Sequence, residues 1–172
     1  MHNLPGKYSD FLWQLGHSLV ARDASMGTLD DAEWHQTLPS EMKVSTRILI
    51  VDDSPLIRTK LRELLQQHAG WQVYDEASNG KDAVDRVKKG APDVVVLDFL
   101  MPEMDGLHAA REIQHVAPKV PILMFTMQLS PELITEARRA GVRGAVPKSE
   151  PRAIVAGVEA VLRNESFFAP QN

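Results

Sequence analysis

The sequence contains no cysteine, which excludes disulfides, Cys-ligated zinc, iron–sulfur clusters and thiol catalysis. It also lacks any long apolar run. The longest unbroken aliphatic stretches are Ile48–Val51 and Val94–Leu97, too short to span a bilayer. The N-terminus has no signal pattern of charged, apolar and small residues, so export is not expected. No long basic tract is present, and net charge is −4 with a pI near 5.8, which argues against direct nucleic-acid contact. Neither a Gly-x-Gly-x-x-Gly nor a Gly-x4-Gly-Lys pattern follows an early strand, so nucleotide binding has no fingerprint. What remains is a globular composition, 44% hydrophobic and 24% charged over 172 residues. The charge is uneven. Residues 1–46 carry three basic and six acidic side chains, whereas the rest is nearly balanced.

From residue 47 onward, strand-like and helix-like patterns alternate. Arg47–Val51 is a short apolar run that ends in Asp52 and Asp53. Ser54-Pro55 then supplies an N-cap and a first-turn proline for a helix carrying Leu56, Ile57, Leu61, Leu64 and Leu65, with Gly70 as its stop. Trp71–Ala77 alternates as a strand, and Asn79–Lys89 is a second helix closed by Gly90. Asp93–Leu97 is a buried strand, Asp105–Val116 a third helix and Val120–Phe125 another buried strand. Ser130-Pro131 caps a fourth helix, Arg143–Val146 is a fifth strand, and Glu150–Arg163 is the last helix. Five strand–helix units of this kind predict an α/β fold, a three-layer (βα)5 sandwich. Right-handed crossovers favour a flavodoxin-like parallel sheet of order 2-1-3-4-5.

The first 45 residues read as a separate N-terminal extension, partly helical. Phe11, Leu12, Leu15, Leu19 and Val20 form an amphipathic stripe, and Thr28–Asp31 resembles a capping box. Met42 would itself make a sensible chain start. The divisions expected are an extension at 1–45, a domain at 46–168 and a short tail at 169–172.

In an open parallel sheet, ligands bind beyond the carboxyl ends of the strands, at the switch point between strands one and three. Asp52, Asp53 and Asp98 stand at those two ends. A single strand-end Asp is an ordinary turn former; three at neighbouring ends repel one another unless a cation joins them. All-oxygen ligands point to Mg²⁺, with Mn²⁺ as a substitute. Thr126 and Lys148 close the fourth and fifth strands, and a hydroxyl and an ammonium beside such a crevice suit phosphoryl oxygens. A carboxylate nucleophile completes the chemistry, and Asp98 is the central candidate.

The stretches Ile48–Pro55, Val94–Asp98, Met101–Gly106, Pro121–Thr126 and Val146–Lys148, in that order, resemble a response-regulator receiver domain of bacterial two-component signalling, over about residues 45–168. Ala156–Pro170 is similar to the end of LuxR/NarL-type receivers. The resemblance implies that Asp98 is the phosphoacceptor, Asp53 a direct Mg²⁺ ligand and Asp52 a ligand acting largely through water. By the same resemblance the main-chain carbonyl of Leu100 is a third protein ligand, Thr126 the switch hydroxyl and Lys148 the phosphoryl-pairing lysine.

It further implies a cytoplasmic signalling protein rather than an enzyme acting on other substrates. The phosphoryl group would come from a sensor histidine kinase or a phosphotransfer protein, and the helix 4–strand 5–helix 5 surface would act on a downstream effector or output domain. Self-association into a homodimer is left open. A phosphorylation-independent interaction module is the alternative. A haloacid-dehalogenase-type phosphohydrolase fits less well, because the first strand ends Asp-Asp-Ser rather than Asp-x-Asp.

Three positions depart from the family pattern. Ala145 stands where an aromatic or His is usual. Ser149 replaces the customary proline after the lysine, and a cis bond there would cost roughly 3 kcal/mol, so trans is expected. Met127 stands where a small residue is usual and is expected to hinder access to Asp98. His108, Glu112 and His115 share a helix face but are read as solvated, and Lys88-Lys89 and Arg138-Arg139 as helix-end cations.

Overall fold

A computed structural model of the chain describes residues 45–169. The amphipathic stripe and capping box of the extension lie outside the described residues. The six strands are β1 (Thr46–Val51), β2 (Trp71–Ala77), β3 (Val94–Leu97), β4 (Ile122–Thr126), β5 (Gly144–Pro147) and β6 (Phe167–Phe168). The helices among the described residues are α1 (Pro55–Gln66), α2 (Gly80–Gly90), α3 (Gly106–Val116), α4 (Pro131–Arg139) and α5 (Ala153–Leu162). All neighbouring strands pair in parallel, in the order β2-β1-β3-β4-β5-β6. The expected fold and order are present, with a sixth strand added beyond β5. Two residues are too short to read as a strand from any periodicity.

Side-chain alternation along the central strands divides the core into two layers. Leu49, Val51, Val95, Leu97, Ile122, Met124 and Ala145 face α2, α3 and α4, meeting Ala83, Val87, Ala110, Ile113 and Ala137. Ile48, Ile50, Val94, Val96, Leu123, Phe125 and Val146 face α1 and α5, meeting Leu61, Leu65, Ile154, Val158 and Val161. Both faces of β3 and β4 are therefore covered, which is why their sequences show no polar alternation.

Four helices start on side-chain caps. Ser54 accepts from the Ile57 amide, Asn79 from Asp82, Asp105 from His108 and Ser130 from Leu133. Helix ends are less faithful to the sequence reading. Gly70, with φ +85°, lies beyond the end of α1 at Gln66. Gly90 is still helical, and the left-handed residue that ends α2 is Ala91, with φ 42°. Gly90 is required for another reason, because a Cβ there would strike the Tyr74 ring. An L-residue with a side chain in the left-handed region costs about 1–2 kcal/mol. Ala91→Gly is therefore expected to raise stability by about 1 kcal/mol, a gain of a few degrees in Tm by calorimetry.

α5 starts later than expected, at Ala153, without a side-chain cap. Its end is a Schellman turn: Asn164 has φ 63°, its amide donates to Val161 O, and the Glu165 amide donates to Ala160 O. That turn reverses the chain and lays β6 along β5.

Candidate functional site

The topology puts β1 beside β3 and β3 beside β4, so the ends of these strands form one crevice. Asp52 and Asp98 are buried there and Asp53 is exposed. One ligand oxygen from each lies within 4.8 Å of the others. Thr126, fully buried, ends β4. Lys148 follows β5, and its amide donates to Thr126 O at 2.8 Å. The peptide bond after Lys148 is trans, as expected from Ser149, since no cis bond occurs among the described residues.

Backbone hydrogen bonds set the carboxylates in place. Asp98 N donates to Val51 O at 2.8 Å, which ties the end of β3 to the end of β1. Asp98 Oδ1 accepts from the Phe99 amide at 2.7 Å, and Asp52 Oδ1 from the Ser54 amide at 2.9 Å. One oxygen of each acid is thus fixed and the other faces the crevice. Lys148 Nζ lies between these free oxygens, 2.6 Å from Asp52 Oδ2 and 2.7 Å from Asp98 Oδ2. It donates a hydrogen bond to Asp98. Its approach to Asp52 Oδ2 is a charge contact, for that buried oxygen has no aligned donor.

Burial pushes the Asp98 carboxyl above its ordinary range, and the charge of Asp52 adds to this. Hydrogen bonds from Lys148 and Phe99 only partly offset the rise. Burial works to lower Lys148 as well, but its contacts with Asp52 and Asp98 outweigh that and hold the ammonium above its usual value. The Lys148 side chain is 7% exposed, so these contacts are shielded from solvent.

Asp52 Oδ2, buried, ion-paired with Lys148 and inside a set of three carboxylates, is the kind of hard oxygen ligand that Mg²⁺ prefers. It is the only such acidic or His cluster among the described residues. His108 instead pairs with Asp105 at 2.8 Å on an exposed face, as the solvated reading expects.

The loop after β3 is shaped by its own contacts. Gly106 N donates to Phe99 O at 2.8 Å, and a Cβ on Gly106 would collide with the main chain of Asp98 and Phe99. Gly80 N donates to Met104 O at 3.1 Å, and Asn79 Nδ2 to Glu103 Oε1 at 3.4 Å, linking the start of α2 to this loop.

Met127, next to Thr126, is 72% exposed. Leu56 at 62% and Leu100 at 53% stand beside the same strand ends, giving the acidic crevice an apolar rim.

Sequence reasoning did not find Arg58 and Glu76. Arg58 Nη1 donates to the main-chain oxygen of Asp52 at 2.7 Å, and its Nε lies 3.0 Å from Glu76 Oε2. Arg62 reaches the other Glu76 oxygen at 2.7 Å. This brace holds the peptide that joins Asp52 to Asp53. Its only sequence trace is a pair of arginines four residues apart in α1, which on its own reads as a solvated face. Arg58→Ala is expected to cost about 1.5–3 kcal/mol in a urea titration, since it removes charge-assisted hydrogen bonds at a part-buried site.

The described residues contain no helix long and apolar enough to cross a membrane. Comparison with known proteins agrees with the geometry. A profile described as the response regulator receiver domain matches residues 48–159. Chemotaxis protein CheY of Thermotoga maritima is 34% identical over 118 residues, covering 68% of this chain and 98% of that protein. A protein-glutamate methylesterase/protein-glutamine glutaminase of Alkalilimnicola ehrlichii is 47% identical over 85 residues, which are 49% of this chain but only 21% of that protein. The match therefore leaves most of that relative's length unaccounted for. Among solved structures, a LuxR-family two-component response regulator from Aurantimonas sp. SI85-9A1 superposes with a TM-score of 0.71 at 33% identity. The alignment covers 73% of this chain and 91% of that one. With the profile spanning well over half of the chain and the acidic crevice at the matching strand ends, the chain belongs to the response-regulator receiver family.

Proposed function

We propose that the chain is the phosphoacceptor of a two-component system, taking a phosphoryl group onto Asp98 from a phosphohistidine on a sensor histidine kinase or phosphotransfer protein. The observation that carries this reading is Lys148, held between the inward oxygens of Asp52 and Asp98 at 2.6 and 2.7 Å. Asp53, Asp52, Asp98 and the main-chain oxygen of Leu100 would hold Mg²⁺. When bound, the cation neutralises charge that builds up on the transferring phosphoryl oxygens.

The chain's own groups do the rest. One Asp98 carboxylate oxygen attacks phosphorus, the bond from phosphorus to the donor imidazole nitrogen breaks, and the imidazole leaves with the electron pair. The product is an acyl phosphate. Lys148 moves its ammonium from carboxylate to phosphoryl oxygen, and Thr126 offers its hydroxyl to another. The Phe99 amide, already donating to Asp98, keeps the carboxylate oriented. The apolar rim of Leu56, Leu100 and Met127 is suited to the surface of a protein donor. Output would pass through the α4–β5–α5 surface to an effector or output domain, and a cytoplasmic location belongs to the same reading.

The test is mass spectrometry after incubation with acetyl phosphate and Mg²⁺. An adduct on Asp98 that is absent from Asp98→Asn is expected. Mg²⁺ binding without any adduct would favour an interaction module that works without phosphorylation.

A further inference from the structure

β6 sits in a socket cut by small residues. Its register places Phe167 against Gly144 and Phe168 against Ala145. A Cβ on Gly144 would strike Phe167 O, and one on Gly157 of α5 would come within 3.2 Å of the Phe167 ring. Ala145 is fully buried in the layer against which Phe168 packs. Two backbone bonds hold the strand, from Phe167 N to Arg143 O at 3.0 Å and from Ala169 N to Ala145 O at 2.9 Å. The Phe167 and Phe168 rings pack on the two core layers, and on the α4 side the Arg138 guanidinium stacks on the Phe168 ring at 3.9 Å.

α4 is itself lightly seated. Of its nine residues only Leu133 and Ala137 are buried. A cavity of about 270 Å³ opens beside it, lined by Phe99, Leu107, Leu133 and Glu136 among others. Phe99 is the residue whose amide donates to Asp98. Phe99, beside Asp98, and Leu133 of α4 thus line one pocket, and Arg138 of the same helix touches the C-terminal strand.

We propose that the β5 edge is an interaction surface occupied by the chain's own Phe167–Phe168 strand, and that Arg138 stacked on Phe168 latches this strand to α4. The edge fits an extended segment with two adjacent aromatic residues, which the chain supplies in cis. When α4 shifts into the cavity, Arg138 leaves the ring, β6 loosens, and the β5 edge opens. The switching half of this proposal rests on Asp98 being the phosphoacceptor; the latch half does not.

Hydrogen exchange by NMR tests the two halves separately. The amides of Phe167 and Ala169 report the strand, and those of Val95 and Leu97 in β3 report the fold. In Arg138→Ala, an exposed substitution, Phe167 and Ala169 are expected to exchange about two- to fivefold faster, as loss of a cation–π contact at an exposed site implies, with β3 unchanged. In Phe168→Ala the acceleration should be larger. Unchanged protection of Phe167 and Ala169 in Arg138→Ala overturns the latch.

The second arm adds Mg²⁺ and beryllofluoride to the wild-type protein. Slower exchange at Phe99 with faster exchange at Phe167 and Ala169 is the expected result. A response at Phe99 with none in β6 overturns the switching half. No response at Phe99 is a failure of the phosphoacceptor reading and of the switching half with it, while the latch is still decided by Arg138→Ala.

Discussion

Lys148→Met is expected to lose about 3–5 kcal/mol of folding free energy in metal-free buffer and to recover much of it in millimolar Mg²⁺. Among the described residues the wild-type ammonium is the one cation that touches both Asp52 and Asp98, whose side chains are 1% and 6% exposed. Methionine keeps the length of the side chain and removes the charge, so two buried carboxylates face each other with nothing between them. Removing one partner of a buried ion pair is costly because an uncompensated charge stays behind. Bound Mg²⁺ would replace that charge. At a free concentration 100 times the Kd it would add about 2.7 kcal/mol of stability. The rise in Tm on adding Mg²⁺ should therefore be larger in Lys148→Met than in wild type. An equal rise in both proteins would show that Lys148 and the cation do not neutralise the same carboxylates.

The pH dependence has a defined sign. Asp98 is held above its ordinary range in the folded protein, chiefly by burial. A carboxyl raised on folding favours the native state below its unfolded value and loses that contribution as pH rises through its folded value. Without Lys148 the shift grows. The deficit of Lys148→Met relative to wild type should then be small in acid and widen toward neutral pH, as chemical denaturation at several pH values would show. A deficit constant over that range would place its cause in lost packing rather than in charge.

The sequence made the sheet order and the site legible for one physical reason. Strands buried on both faces, such as Val94–Leu97 and Ile122–Thr126, carry unbroken apolar runs, so the polar residue that ends each run stands out. Asp52, Asp98, Thr126 and Lys148 were found that way. Caps at Ser54 and Ser130 are local chemistry and were also visible, and the helix starts read at Asn79 and Asp105 fall on residues that cap in the structure. What escaped depends on contacts between elements. Arg58 reaches Asp52 only because α1 packs beside β2, where Glu76 holds it. Phe167-Phe168 becomes a strand only because Gly144 and Gly157 leave room for it. Ala91, not Gly90, takes the left-handed turn, while Gly90 leaves room for the Tyr74 ring. Local preference at these places yields to the neighbour across the fold.

Leu100→Asn is expected to shorten the lifetime of phosphorylated Asp98 by about a decade, which corresponds to only about 1.4 kcal/mol in barrier. Hydrolysis needs a water in line with the bond between Asp98 and phosphorus. By the receiver resemblance, the residues expected to border that approach are Leu100, two beyond Asp98, and Gln128, two beyond Thr126. Leu100 is 53% exposed at the rim and has no group that can hold a water. Gln128 is exposed and its amide donates to Thr126 Oγ1 at 3.4 Å, so it stands at the same edge. Its side chain can hydrogen-bond a water but is no general base at neutral pH. Met127, 72% exposed, adds apolar surface beside them. With no group to position the attacking water, self-dephosphorylation of the wild type should be slow, lasting well beyond seconds. Asparagine at position 100 supplies both a donor and an acceptor at the rim and removes the branched apolar tip. Decay of the radiolabelled acyl phosphate, followed in Mg²⁺ for both proteins, gives the two rates directly. Equal rates, or a wild type that loses its phosphoryl group within seconds, would show that Leu100 does not shield the site and that the rate is set inside the crevice by Lys148 and Thr126.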